Sequence, residues 1–210
     1  GPYDFDFRWP DVASNPLMRI SAIDVSPDYP RRTIVFLHGF GGQATQWQYQ
    51  LQKFSLENRV IALDLPGHGL SDPSNSDYTM EEIVRYVASS LDSLRVDMPV
   101  VLVAHSFGGA IATEYAILHP ERVERMILAA AAGEYRLNPL YRLGLHLPYA
   151  VLKVVDFFTH NWLGASPDVL KAWYADNLTR WKGWDIFPQI GMPVMVIRGH
   201  RDKVIEKPAY

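Results

Sequence analysis

The residue best placed to do covalent chemistry in this sequence is Ser106. It lies in Val100-Val101-Leu102-Val103-Ala104-His105-Ser106-Phe107-Gly108-Gly109-Ala110, an apolar run that ends in a small residue, a serine and a glycine pair. A short continuous apolar run has the pattern of a strand buried on both faces. The residues that follow, Ile111 to Leu118, suit a helix. A strand that turns this sharply into a helix holds the residue at the bend in a strained conformation, with its side chain raised above the sheet. Ala104 and Gly108, two positions either side of Ser106, are small enough for the crowded backbones. The pattern is the nucleophile elbow Gly-x-Ser-x-Gly, with alanine in place of the first glycine. An ordinary strand-to-helix turn with Ser106 as the helix N-cap fits the same pentapeptide. In either case the serine sits near a helix N-terminus, where N–H groups stabilise negative charge.

The elements that must hold Ser106 in place follow from the hydrophobic pattern. Gly1 to Pro30 is aromatic and punctuated by proline, with one strand expected near Met18 to Val25. Thr33 to Leu37 and Arg59 to Leu63 read as buried strands, the first ending at His38-Gly39-Phe40-Gly41-Gly42 and the second at Asp64-Leu65-Pro66-Gly67-His68-Gly69-Leu70-Ser71-Asp72. Between them Trp47, Leu51 and Phe54 recur at helical spacing. A further helix is expected from Thr79, which forms a capping box with Glu82, and Ile83, Val84, Val87, Leu91 and Leu94 give it one apolar face. Further strands are expected at Arg125 to Ala130 and Pro193 to Arg198. Strands alternating with helices imply an α/β fold, a mostly parallel sheet with helices on both faces. Ligands of such sheets bind at the carboxyl ends of the strands. His38, Asp64, Ser106 and Asp202 all fall at or just after those ends.

Residues 134–188 break the alternation. They are rich in Leu, Tyr, Phe and Trp and are cut into short pieces by Pro139, Gly144, Pro148, Gly164 and Pro167. The expected organisation is therefore a core of residues 1–133 plus 189–210 and an inserted helical lid of residues 134–188. A lid with an apolar inner face would favour substrates with a hydrophobic acyl or aromatic part. The same residues also suit helices that only pack on the core.

Composition narrows the classes of function. The chain has 210 residues, 48% of them hydrophobic and 20% charged, with a net charge of −3, so nothing points to a nucleic-acid partner or a polybasic membrane anchor. The absence of cysteine removes disulfides and thiolate chemistry together. No apolar run is long enough to span a bilayer. There is no basic-then-apolar leader, and a cytoplasmic location is expected. No His-x-x-x-His pair occurs and the carboxylates are scattered, so no metal is expected. The glycines at 39, 41 and 42 lack the spacing of a dinucleotide loop, and no cofactor is expected.

Four motifs in this order, at His38 to Gly42, Asp64 to Asp72, His105 to Gly109 and Gly199-His200-Arg201-Asp202, resemble the α/β-hydrolase superfamily. The resemblance runs from about Thr33 to Asp202 and implies the α/β-hydrolase fold. Carried over residue by residue, it implies that Ser106 is the nucleophile and that the backbone N–H groups of Phe40 and Phe107 form the oxyanion hole. It makes Asp202 the acid, with Glu134 as the alternative. It places His38, Gly39, His105 and Trp162 around the substrate pocket, with the side chains of Phe40 and Phe107 free to line it. The superfamily's histidine follows its acid by a couple of dozen residues, whereas only eight residues follow Asp202 here and none is histidine. His38 belongs to the oxyanion loop, where it is expected to hydrogen-bond backbone rather than transfer protons, and His68 to a glycine turn. His105 is locked beside the nucleophile, His119 ends a helix, His146 and His160 lie in the lid, and His200 is too near Asp202 to be its partner. The catalytic histidine is therefore expected to be absent, as in a chain lacking its C-terminal end, and the 210 residues alone are expected to be nearly inactive.

The function expected on this resemblance is that of a serine esterase or lipase-like hydrolase. It would cleave small carboxylic esters with a hydrophobic acyl part through an acyl-enzyme on Ser106. A serine rather than an aspartate at the elbow argues against relatives that open epoxides or displace halide. The alternatives are hydrolysis of carbon–carbon bonds in ring-cleavage products and a non-catalytic protein that binds a hydrophobic ligand.

Overall fold

The computed structural model describes residues 7–8, 18–97, 99–137, 139–148, 150–154 and 163–199. Its strands are β1 (Phe7–Arg8), β2 (Ala22–Val25), β3 (Thr33–Leu37), β4 (Arg59–Leu63), β5 (Val100–His105), β6 (Val123–Ala129) and β7 (Val194–Ile197). They form one seven-stranded sheet in the order β1-β2-β4-β3-β5-β6-β7. The pairs β3–β4, β3–β5, β5–β6 and β6–β7 are parallel, while β1–β2 and β2–β4 are antiparallel. The mostly parallel α/β sheet is therefore as the hydrophobic runs imply. The strand near Met18 to Val25 is confined to its last four residues, and β6 begins two residues before the expected Arg125.

The helices are α1 (Gln48–Phe54), α2 (Met80–Ser93), α3 (Gly108–Leu118), α4 (Pro139–Leu145) and α5 (Pro167–Trp173). Alternate strand residues feed two separate apolar clusters, as the period of two requires. Val35, Leu37, Ile61, Leu63 and Leu102 pack with α2 and α3, while Ile23, Phe36, Val60 and Ala62 pack with Trp47 and Leu51. Both faces of the sheet are thus covered by helices. Phe54, expected on the apolar face of α1, ends that helix 45% exposed, because the chain has by then turned away from the sheet. Among the described residues β1 and β7 are the two edge strands, and all four residues of β7 are exposed.

Only half of the expected capping box forms at α2. The Thr79 hydroxyl accepts from the Glu82 N–H, but the Thr79 N–H donates to Asp77 Oδ1 and the Glu82 carboxylate pairs with Arg85. Asp77 outcompetes Glu82 because it lies two residues away on an already turned chain. At the other end Arg95 adopts φ 50°, its N–H bonding to the Asp92 carbonyl and that of Val96 to the Leu91 carbonyl. Arg59 of β4 ties this end to β2 through two bonds to the Asp24 carboxylate, of 3.0 and 2.7 Å, and one of 2.8 Å to the Leu94 carbonyl. No described helix is long and apolar enough to cross a membrane.

Candidate active site

The elbow is built by close backbone approach. β5 ends at His105, α3 begins at Gly108, and Ser106 between them has φ 51°, a conformation that costs a non-glycine residue roughly 1–2 kcal/mol. Three neighbours enforce it. The Ser106 N–H donates to the Ala129 carbonyl of β6 at 2.8 Å. The Ser106 carbonyl accepts from the Gly109 N–H at 2.9 Å and from the Tyr135 hydroxyl at 2.7 Å. A β-carbon on Gly108 would come within 2.4 Å of the His38 carbonyl oxygen, and one on Gly39 within 2.9 Å of the Ser106 β-carbon. The loop after β3 is therefore pressed directly against the elbow, and only glycine fits on either side of the contact.

Phe40 and Phe107 lie at this junction. Among the described residues the N–H groups of Phe40 and Phe107 donate to no protein acceptor, whereas those of Ser106, Gly109 and Gly42 are all bonded. Two unused amides beside a half-exposed serine make an arrangement suited to a developing oxyanion. The Phe107 side chain does not line an open pocket: it is 1% exposed and packs edge-on against Tyr135 at 4.9 Å, with Trp173 at 6.2 Å and Trp181 at 6.5 Å. The apolar side chains of residues 163–187 cover it and draw it into the core. Phe40 remains partly buried.

His38 hydrogen-bonds backbone, as expected of the oxyanion loop, but its full burial departs from the expectation that it lines the substrate pocket. It is fully buried, its Nδ1–H donating to the Gly39 carbonyl at 2.8 Å and its Nε2 accepting from the Leu65 N–H at 3.0 Å. Burial pushes its pKa down to about 4, so the ring is neutral at physiological pH. Gly39 is buried as well, through its contact with the elbow. His105 is exposed at the carboxyl end of β5. Glu134 spends its carboxylate on Arg136, at 3.0 and 2.9 Å. Asp202 and Trp162 lie outside the described residues, as do His160 and His200.

The remaining described histidines have plain structural surroundings. His68 is buried, with Nδ1–H donating to the Pro66 carbonyl and Nε2 accepting from the Gly41 N–H. His119 lies against Tyr115 at the far end of α3, and His146 is exposed beyond α4. Asp64 is buried at the end of β4, where it accepts from the Ala44 and Leu70 N–H groups, and burial raises its pKa. Its chemistry is that of a loop anchor. Among the described residues no cluster of three His, Cys, Asp or Glu side chains could hold a metal.

Sequence reasoning missed Tyr135. Its hydroxyl bridges the Ala132 N–H and the Ser106 carbonyl, bracing the elbow from the segment after β6. One tyrosine among many aromatic residues carries no signal for that role. An apolar cavity of about 560 Å³ opens between the end of β6 and the exposed strand β7, lined by Leu128, Ala132, Trp184, Phe187, Ile190 and Val196 among others; neither Ser106 nor Tyr135 lines it.

Residues 32–185 match the family model described as the alpha/beta hydrolase fold. The chain belongs to the α/β-hydrolase family. This α/β-hydrolase is 37% identical over 101 residues, 48% of its length, to the dihydrolipoyllysine-residue acetyltransferase component of the acetoin cleaving system of Cupriavidus necator, and it spans 27% of that relative. It is 36% identical over 104 residues, 48% of its length, to the 2-hydroxymuconate semialdehyde hydrolase of a Pseudomonas species, of which it spans 36%. The esterase of Exiguobacterium antarcticum has the same fold, with a TM-score of 0.77 at 19% identity over 96% of this α/β-hydrolase and 84% of that chain.

Proposed function

We propose that this α/β-hydrolase cleaves small carboxylic esters with a hydrophobic acyl part, through an acyl-enzyme on Ser106. The observation that carries the reading is Ser106 at φ 51°, half-exposed, with two unused backbone N–H groups beside it. In the first step the Ser106 Oγ bonds to the ester carbonyl carbon and gives up its proton to a base. The carbonyl oxygen takes the negative charge, facing the N–H groups of Phe40 and Phe107. Collapse breaks the bond to the alkoxide, which leaves with that proton, and water then hydrolyses the acyl-serine by the same path. Each such donor is worth roughly 10²–10³ in rate.

The preference for a hydrophobic acyl group is drawn from the apolar, aromatic-rich residues 134–188. The lid role of residues 134–188 belongs to the same proposal. His38 and His68 have both ring nitrogens bonded, and His119 lies at the far end of α3 from Ser106. The proposal therefore takes the base from outside these three. Asp202 is proposed as the acid that orients that base.

A second reading is hydrolysis of a carbon–carbon bond in a ring-cleavage product, favoured by the likeness to the 2-hydroxymuconate semialdehyde hydrolase. The test runs on the full protein that carries this chain. A fluorophosphonate probe should label Ser106, and Ser106→Ala should abolish both labelling and ester turnover while changing stability by no more than about 1 kcal/mol. Faster turnover of a vinylogous diketone than of any ester would establish the second reading. Unchanged ester turnover in Ser106→Ala would overturn both.

A further inference from the structure

We propose that His68 is a positioning residue for the oxyanion hole, and that Trp173, through it, and Gly164, by a direct backbone bond, hold the loop after β3 in its working geometry. The inference rests on the reading of Phe40 N–H as an oxyanion donor. That N–H belongs to the peptide unit between Gly39 and Phe40, whose carbonyl accepts from His38 Nδ1–H at 2.8 Å and from the Gly42 N–H at 2.9 Å. The next peptide unit, between Phe40 and Gly41, is held by one described bond, from the Gly41 N–H to His68 Nε2 at 3.1 Å. Gly41 has φ 73° and is followed by another glycine. Glycine rotates between such conformations at little cost, so this peptide plane has no steric lock of its own. The acceptor on His68 supplies the lock.

His68 is in turn fixed in one tautomer and one orientation. Its Nδ1–H donates to the Pro66 carbonyl at 3.1 Å, which leaves Nε2 as the acceptor. The ring is buried, with His38 at 5.1 Å on one side and Trp173 edge-on at 5.0 Å on the other. The Trp173 Nε1–H donates to the same Pro66 carbonyl at 3.1 Å, so α5 and His68 share one anchor. Gly164 closes the circuit. Its N–H donates to the Gly41 carbonyl at 2.8 Å and its carbonyl accepts from the Gly69 N–H at 2.6 Å. A β-carbon at this position would lie 1.9 Å from the Gly42 oxygen. The segment between β6 and β7 thus reaches the loop after β3 directly, by backbone at Gly164, and indirectly, through the Trp173 side chain on His68 and the Pro66 carbonyl. A substrate that shifts this segment would shift the Phe40 donor with it.

The test compares His68→Leu, which removes the acceptor, with His68→Gln, whose amide oxygen can reach the same N–H, in the full protein. Thermal melts, kcat and KM for an acetate ester, and NMR exchange of the Gly41 amide are measured for each. His68→Leu should lower kcat by roughly 10- to 100-fold, less than full loss of a donor, with KM within about threefold and faster exchange at Gly41. His68→Gln should recover most of both. Equal loss in the two variants, or kcat within threefold of wild type in a folded His68→Leu, would overturn the proposal. Should His68→Leu not fold, Trp173→Phe decides. A drop in kcat with faster exchange at Gly41 supports the coupling, and no change in either overturns it. Ser106→Ala run in parallel keeps the two readings apart. Turnover surviving there would defeat the nucleophile assignment, whereas the Gly41 exchange reports on His68 whatever the reaction is.

Discussion

Ser106 can occupy its strained turn because the residues around it give up volume. Gly39 and Gly108 leave room for two backbones to touch, and a β-carbon at Gly108 would have to displace the carbonyl of His38, which belongs to the loop carrying Phe40. Gly108→Ala is therefore expected to cost about 1–3 kcal/mol, the usual range for overpacking. It should also reduce ester turnover more than that loss of folded protein explains. Chemical denaturation beside active-site titration with a serine probe separates the two effects, and a normal specific activity per folded molecule would mean that the loop absorbs the extra carbon.

Among the elements, α2 shows how a local signal is redistributed without moving the helix. Its cap is supplied by Thr79, but Asp77 takes the place expected of Glu82 on the return bond. Its far end closes on Arg95 at φ 50°, an exposed residue in a conformation that favours glycine. Arg95→Gly keeps the backbone bonds there and should raise stability by about 0.5–1 kcal/mol. A lower midpoint in urea would show that the arginine side chain does more than its position suggests. The segment between β6 and β7 is the larger case. Trp173 is fully buried and Trp181 nearly so, both against Phe107. Replacing Arg136 to Asp185 with a short linker should therefore impair acetate esters as strongly as long-chain esters and lower the melting temperature. Intact acetate turnover with a changed chain-length profile would instead mark the segment as a removable lid.

For the whole molecule, the pair of buried neutral imidazoles sets an acid limit. Burial holds His38 at about pKa 4, and burial together with the neighbouring His38 holds His68 at about 3. An unfolded chain would protonate both near 6.5. Below that pH the unfolded state binds more protons, so the stabilisation present above pH 6.5 is lost as the pH falls toward 4. The loss is about 1.4 kcal/mol per pH unit for each ring, or roughly 3 kcal/mol each by pH 4. Asp64 acts in the opposite sense, since its raised pKa favours the folded state as it protonates. Urea midpoints at pH 7, 6, 5 and 4 should fall steeply, and His68→Gln should flatten the slope. A flat profile in wild type would mean that the rings are protonated without disturbing the fold.

The sequence by itself determined the parallel sheet, the helices on both faces and the family, because apolar runs of strand length and helical periodicity are local patterns, and so is the small-x-Ser-x-Gly turn. β3 and β4 coincide with the runs Thr33 to Leu37 and Arg59 to Leu63. The buried position of His38, the withdrawal of the Phe107 ring into the core, and the bonds from Tyr135, His68 and Gly164 to the elbow and its facing loop were decided by tertiary structure alone. They join residues 27 to 123 positions apart. One histidine in a glycine turn, one tyrosine or one glycine in an aromatic segment has no periodicity to betray it. Its role depends on which distant carbonyl or N–H the completed sheet places opposite it.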